Sequence, residues 1–339
     1  MPSIITRGGM SALGYGFSGS VPLPADGSVV IFAIGYSSST TAYSAVRNKY
    51  TIATNSSTAC GVGSASTGSG LGSAAGNGSR GIFALGTTAT QRLSDRNKYT
   101  YSTNTSTAAG VSSASILSYS GSAAGNSTRG IFSLGYGCAA PTAAADKYTY
   151  ATCTSTSLAC GIIWSSCTKK ANYQGPAVGT STVGIFSKGY GCPVFCPCCN
   201  RCVYYPTVKR AKYTYSTCTS TTSGVGTASC TNHWGAAAGN TTIGIFVLGQ
   251  TGSATYRKAD KYTYSSCTSV AATSTPNCVY GASGSGNSLA GIFAIGAGRS
   301  GRIRWCYNSC TNTACGIASS SINSCSGSAV SWVCGVNSP

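Results

Sequence analysis

Acidic residues are nearly missing from this chain: Asp26, Asp95, Asp146 and Asp260 are the four among 339 residues, against 22 lysines and arginines. Histidine is scarcer still, with His233 alone. A catalytic carboxylate pair needs two acids side by side, but Asp95, Asp146 and Asp260 each precede a Lys-Tyr pair in a separate stretch of sequence. Local turn or charge pairing is the expected job of Asp146 and Asp260. A serine or cysteine triad would rest on His233 alone, whose neighbour Trp234 marks a packed or surface position. An enzyme is therefore not expected, and no catalytic residue, metal or cofactor is assigned. No apolar run reaches the eighteen residues of a membrane-spanning helix. Met1 to Ser20 lacks the basic start, apolar core and cleavage site of a secretory signal. Charged residues make up only 8% of the chain, so the surface must be built from Ser, Thr, Asn, Gly and Tyr.

Repetition is what the sequence has in abundance. Gly81-Ile82-Phe83-Ala84-Leu85-Gly86 returns as close copies whose isoleucines fall at 31, 82, 131, 185, 245 and 292, in steps of 51, 49, 54, 60 and 47 residues. A period near 50 signals an array of structural repeats. A second marker, Lys98-Tyr99-Thr100-Tyr101, recurs at Lys49, Lys147, Lys212 and Lys261 and decays to Arg304-Trp305-Cys306-Tyr307. A third, Gly72-Ser73-Ala74-Ala75-Gly76-Asn77, stands ahead of the next Gly-Ile-Phe. The repeats run near 28–80, 81–129, 130–183, 184–243, 244–290 and 291–339, with residues 1–27 left as an arm.

Lys-Tyr-Thr-Tyr alternates with period two, and Gly-Ile-Phe-Ala-Leu-Gly is a short apolar run between glycines, as a strand buried on both faces would be. No stretch carries a helical stripe, and 45 glycines with many Ser, Thr and Asn supply turns. The expected fold is all-β. Four short antiparallel strands fit each repeat: Ser-Ala-Ala-Gly, Gly-Ile-Phe, Lys-Tyr-Thr-Tyr and a small-residue strand such as Ala109 to Ala114. One four-stranded sheet per repeat around an axis makes a six-bladed β-propeller. The unit resembles the Kelch repeat, in which a short strand runs by a hairpin into an apolar strand ending at glycine and an aromatic-bearing strand follows a variable loop. Here the Kelch double glycine is single (Gly86, Gly135, Gly249) and the tryptophan of the last strand is missing. An open ring would leave bare strand edges. Ser326 to Trp332 aligns with Gly-Ser-Ala-Ala-Gly-Asn, so it is expected to complete the blade begun at Val29.

The 19 cysteines are the other strong signal. Cys153, Cys218, Cys267 and Cys310 share one repeat position, held by Asn55 and Asn104 in the first two repeats. Stacked sheets lie about 10 Å apart, too far for a disulfide, which needs Cα atoms within about 7 Å. Pairing is therefore expected inside blades, led by Cys153 with Cys160 and Cys310 with Cys315, with Cys218–Cys230 and Cys267–Cys278 as looser candidates. Such cysteine density suits an oxidising exterior. The insertion carrying Cys192, Cys196, Cys198, Cys199 and Cys202 lengthens the fourth repeat into a protruding loop. A disulfide-tied loop is the favoured reading, with zinc and reduced thiols as alternatives, because the spacing is not that of paired Cys-x-x-Cys ligands.

Lys49, Lys98, Lys147, Lys212 and Lys261 are repeat-equivalent, with Arg47, Arg96 and Arg210 nearby, and a ring of cations on one rim is expected. Solubility with local pairing is one use for it. Attraction to an anionic partner such as a capsid surface or acidic polysaccharide is the other. Nucleic acid ranks lowest, since no recognition motif accompanies the charge. Asn55, Asn77, Asn104, Asn126 and Asn240 match the glycosylation pattern, but they fall where turns want asparagine anyway.

Residues 5–19, Ile-Thr-Arg-Gly-Gly-Met-Ser-Ala-Leu-Gly-Tyr-Gly-Phe-Ser-Gly, resemble the opening arm of many phage virion proteins. Arg7, Tyr15 and Phe17 are its candidate anchoring residues. The resemblance implies a non-enzymatic structural protein of a bacteriophage particle, a tail-fibre, receptor-binding or decoration component, acting in the virion or outside the cell. Its expected partners are other virion proteins, copies of itself and host-surface polysaccharide. The alternative is a secreted, disulfide-stabilised lectin-like module or extracellular filament subunit.

Overall fold

The computed structural model describes residues 29–37, 42–137, 142–158, 161–162, 174–196, 201–251, 254–296, 299–314, 316–320 and 328–331. The anchoring candidates Arg7, Tyr15 and Phe17, and also Cys160, Cys198, Cys199 and Cys315, lie outside the described residues. Every regular element among the described residues is a strand.

Six antiparallel four-stranded sheets form the blades of a propeller. Blade 2 runs from an inner strand Ser73–Gly76 through Arg80–Ala84 and Arg96–Thr100 to an outer strand Thr105–Thr107. Blade 3 repeats this with Ser122–Gly125, Arg129–Ser133, Ala145–Thr149 and Thr154–Ser157. Blade 4 uses Ala177–Gly179, Val183–Ser187, Arg210–Thr214 and Thr219–Thr221. Blade 5 uses Ala236–Gly239, Ile243–Val247, Ala259–Thr263 and Thr268–Ala272. Blade 6 uses Ser283–Gly286, Ala290–Ala294, Arg302–Cys306 and Thr311–Thr313. Blade 1 joins both ends of the chain: Ser328–Ser331 is its inner strand, followed by Val29–Ser37, Ala42–Thr51 and Ser56–Thr58. Pairing of Val30 with Ser331 and Ile31 with Val330 closes the ring through the carboxy-terminal strand. Each inner strand touches the next, and Ser328–Ser331 meets that of blade 2. The outer strand differs from expectation: Thr105–Thr107 pairs with Arg96–Thr100, and residues 108–114 lie in the connection to the next blade.

The repeat markers have physical causes. The glycine that closes each Ile-Phe marker sits at positive φ in all six blades, between 64° at Gly189 and 79° at Gly86, a conformation L side chains resist. At Gly86 a Cβ would also lie 2.3 Å from the carbonyl of Gly70. Ile and Phe of that strand are buried, as are the first tyrosines of the second marker. The second tyrosine folds back over the inner strand, so a Cβ on Gly125 would meet the Tyr150 hydroxyl at 2.5 Å. Small residues on the inner strands let six sheets converge, leaving a cavity of about 90 Å³ on the axis.

Candidate functional site

The connections from second to third strand, and from outer strand to the next inner strand, share one face. At its centre Leu71, Ser120, Gln174 and Trp234 each take positive φ. The amides of Ser120, Gln174 and Trp234 donate to the carbonyls of Leu71, Ser120 and Gln174, at 2.7, 2.9 and 2.8 Å. Ala282 continues the circle by donating to Trp234 at 3.3 Å. This hydrogen-bonded collar surrounds the axial mouth, a cavity of about 60 Å³.

Aromatic side chains gather on the same face in three pairs: Tyr36 with Tyr43 (ring centroids 5.4 Å apart), Tyr119 with Tyr136 (5.3 Å) and Trp234 with Tyr280 (5.2 Å). All six rings are half-buried, so one side of each pair meets solvent while the pairing fixes its angle. Arg92 lies against the second pair, its guanidinium carbon 5.3 and 5.4 Å from the centroids of Tyr119 and Tyr136. Between Tyr43 and Tyr119, a groove of about 760 Å³ opens beside residues 87–95. The blade 4 insertion rises on this face as a hairpin, Tyr190–Cys196 paired with Arg201–Pro206. Its register sets Cys202 opposite Phe195 and Arg201 opposite Cys196, so neither of these cysteines faces another directly across the ladder.

The expected ring of cations divides in two. Arg47, Arg96 and Arg210 do not belong to it: with Arg302, they are buried between blades. Each lies over a phenylalanine of the following blade, with the guanidinium carbon 4.4, 4.8, 4.3 and 4.7 Å from the rings of Phe83, Phe132, Phe246 and Phe32 respectively. Arg96 donates to Asp146 at 2.8 Å and Arg210 to Asp260 at 2.9 Å. Arg47 and Arg302 donate instead to Asn97 and Asn48. Asp146 also accepts from the Ser115 amide and hydroxyl, and Asp260 from the Ser229 amide. These acids therefore tie blades together. Burial draws all four arginines down, Arg47 and Arg302 to about 10, which leaves them charged at neutral pH.

Lys49, Lys98, Lys147, Lys212 and Lys261 are half-buried on the third strands. Lys49 reaches across to Asn104 Oδ1 of the next blade at 3.4 Å, and Lys212 to Cys267 Sγ at 3.6 Å. Cys153, Cys218, Cys267 and Cys310 occupy the left-handed turn position of Asn55 and Asn104, at φ of 56°, 55°, 53° and 53°. There the Tyr50 and Tyr99 hydroxyls donate to Asn55 and Asn104 at 3.0 and 3.2 Å. These four cysteines, with Cys230 and Cys278, carry free thiols, so Cys218–Cys230 and Cys267–Cys278 are not joined. Asn77, Asn126 and Asn240 cap their turns through Oδ1, while each Nδ2 donates to the next blade at 2.9, 3.0 and 3.1 Å.

Two buried groups stand apart from these patterns. His233 is buried, and desolvation lowers its pKa to about 4. Lys188, at the position that Leu85 and Leu134 hold in other repeats, is 1% exposed, and burial first, then Lys209, lowers it to about 8. No helix among the described residues is long and apolar enough to cross a membrane. Comparison with protein-family models and with curated proteins finds no match to the chain.

Proposed function

We propose that this chain is a non-enzymatic virion protein of a bacteriophage, a rigid propeller displayed as a tail-fibre or decoration component whose loop face meets the host. One observation carries the reading: the paired surface aromatics collect on a single face, Tyr36–Tyr43, Tyr119–Tyr136 and Trp234–Tyr280. Arg96, Asp146, Arg210 and Asp260, the charged groups nearest to a catalytic inventory, are occupied in locking blades. Paired aromatics on fixed loops suit recognition, since little conformational freedom is lost on binding. Two resemblances support the assignment: the Kelch-like order of strands within a propeller, and the phage-like arm around Arg7, Tyr15 and Phe17. The arm would join the propeller to other virion proteins or to a second copy of the chain, in the virion or outside the cell. Lys49, Lys98, Lys147, Lys212 and Lys261 would add attraction to an anionic partner.

The competing reading is a secreted lectin-like module or filament subunit, to which the same aromatic face is equally useful. Location separates the two. Antibody against the propeller should label purified phage particles, and free propeller should coat host cells and slow adsorption. Recovery only from cell-free medium, with unlabelled particles, would establish the secreted module instead.

A further inference from the structure

The groove beside residues 87–95 is built more like a binding site than a gap between blades. Leu71 of the axial collar, Tyr43 of blade 1, Tyr119 from the connection into blade 3 and the loop itself line its volume of about 760 Å³, within the range of small-ligand sites. The loop is fixed throughout. Thr87 exchanges two backbone hydrogen bonds with Gly70, both 2.9 Å, while Thr88 donates to Gln91 at 2.8 Å and Leu93 to Gly86 at 2.7 Å. Thr90 and Gln91 are therefore exposed on an ordered backbone.

The lining sorts by chemistry. Tyr43 and Tyr119 offer ring surface to the C–H face of a sugar. Thr90, Gln91 and Asp95 offer donors and acceptors to its hydroxyls, while the Thr88 hydroxyl holds the loop by accepting from the amides of Thr90 and Gln91. Arg92 is the one cation in the lining, and its position against Tyr119 and Tyr136 holds a planar, bidentate donor at a defined angle. We infer that this groove binds an acidic oligosaccharide of the host surface, with a uronate carboxylate at Arg92 and an adjoining ring against Tyr43 or Tyr119. The inference rests on the reading of the loop face as the binding face.

The test is a glycan array of uronate-bearing and neutral bacterial oligosaccharides probed with the full chain, then titration calorimetry with the strongest binder. Uronate-bearing members should bind and weaken as salt rises. Arg92→Gln should lose at least tenfold in affinity and Gln91→Ala severalfold, while Leu289→Ala, exposed in the first-to-second-strand turn of blade 6 on the opposite face, changes little. Because Arg92 also packs on two rings, each variant is first matched to the parent in melting temperature, and exposed Gln91 carries the test if Arg92→Gln does not fold. Binding of neutral sugars alone, absence of any binding, or full affinity in folded Gln91→Ala and Arg92→Gln would overturn the proposal. If the propeller coats host cells yet binds no oligosaccharide, the groove assignment fails and the attachment reading stands. If it binds oligouronates but does not coat cells, the reverse holds.

Discussion

Lys188 stands where Leu85, Leu134, Leu248 and Ile295 stand in other blades. Burial removes water from its ammonium group, and Lys209 adds repulsion, so its pKa falls from 10.5 to about 8. The sign follows directly: the unfolded chain holds this proton more tightly, so stability rises as pH climbs from about 8 to 10.5 and the cost is present in full at neutral pH. At about 1.4 kcal/mol per pKa unit, that cost reaches roughly 3 kcal/mol. Lys188→Leu should therefore raise stability at pH 7 by about 1 to 3 kcal/mol and flatten the rise between pH 8 and 10.5, as read from denaturant midpoints. A less stable variant would show that the contacts of the ammonium group outweigh the cost of its burial. The repeat alignment flags Lys188 as an oddity, but only burial shows its meaning. The cysteine position was half legible: Asn55 and Asn104 marked a turn, but the cysteines there were expected to pair, and their left-handed φ came only from the backbone.

At the level of elements, the six blade interfaces are of two kinds. Four pair an arginine with an acceptor in the next blade: Arg47 with Asn97, Arg96 with Asp146, Arg210 with Asp260 and Arg302 with Asn48. In the other two, both positions change together, to Ala145 with Ala211 and Ala259 with Ile303. The chain thus contains its own double substitution. A buried charge stripped of its partner costs about 3 to 5 kcal/mol, whereas an apolar replacement of both is often neutral. Arg96→Ala and Asp146→Ala should each destabilise by about that amount, and the double variant should recover most of the loss. Equal, additive losses in a double-mutant cycle would mean that the pair is not coupled. The correlation lay in the sequence, one repeat apart, yet was unreadable without knowing that third strands of adjacent blades face each other. That is why the arginines looked like rim cations. The markers for the second and third strands were plain because glycine, Ile-Phe and Lys-Tyr each obey a steric rule. The outer strand, only Thr105–Thr107 in blade 2, is too short to impose a pattern, and the neighbouring Ala109 to Ala114 attracted the assignment.

For the whole molecule, closure decides what each terminus does. Ser326 to Trp332 aligned with Ser-Ala-Ala-Gly, and Ser328–Ser331 does take the inner place in blade 1, so the ring's joint was legible from the repeat. Closure matches Val30 to Ser331 as Gly130 matches Gly125 in blade 3, where residues 126–129 supply the turn. A permuted chain can therefore run from residue 331 through Asn-Ser-Thr into Val29, opening instead between residues 320 and 326 and omitting residues 1–28 and 332–339. It replaces a distant closure with a local hairpin, which lowers the loop entropy cost by about 0.6 kcal/mol for each halving of length. This permutant should fold as a monomer with a melting temperature at or above the parent's and, if the arm joins the propeller to a virion as proposed, fail to enter particles. Removing residues 326–339 from the parent should instead bare the edge of Val29–Ser37 and yield aggregates. A permutant that cannot fold while the truncated chain can would show that residues 1–27 hold the ring, and the arm's proposed role in assembly would fall with that result.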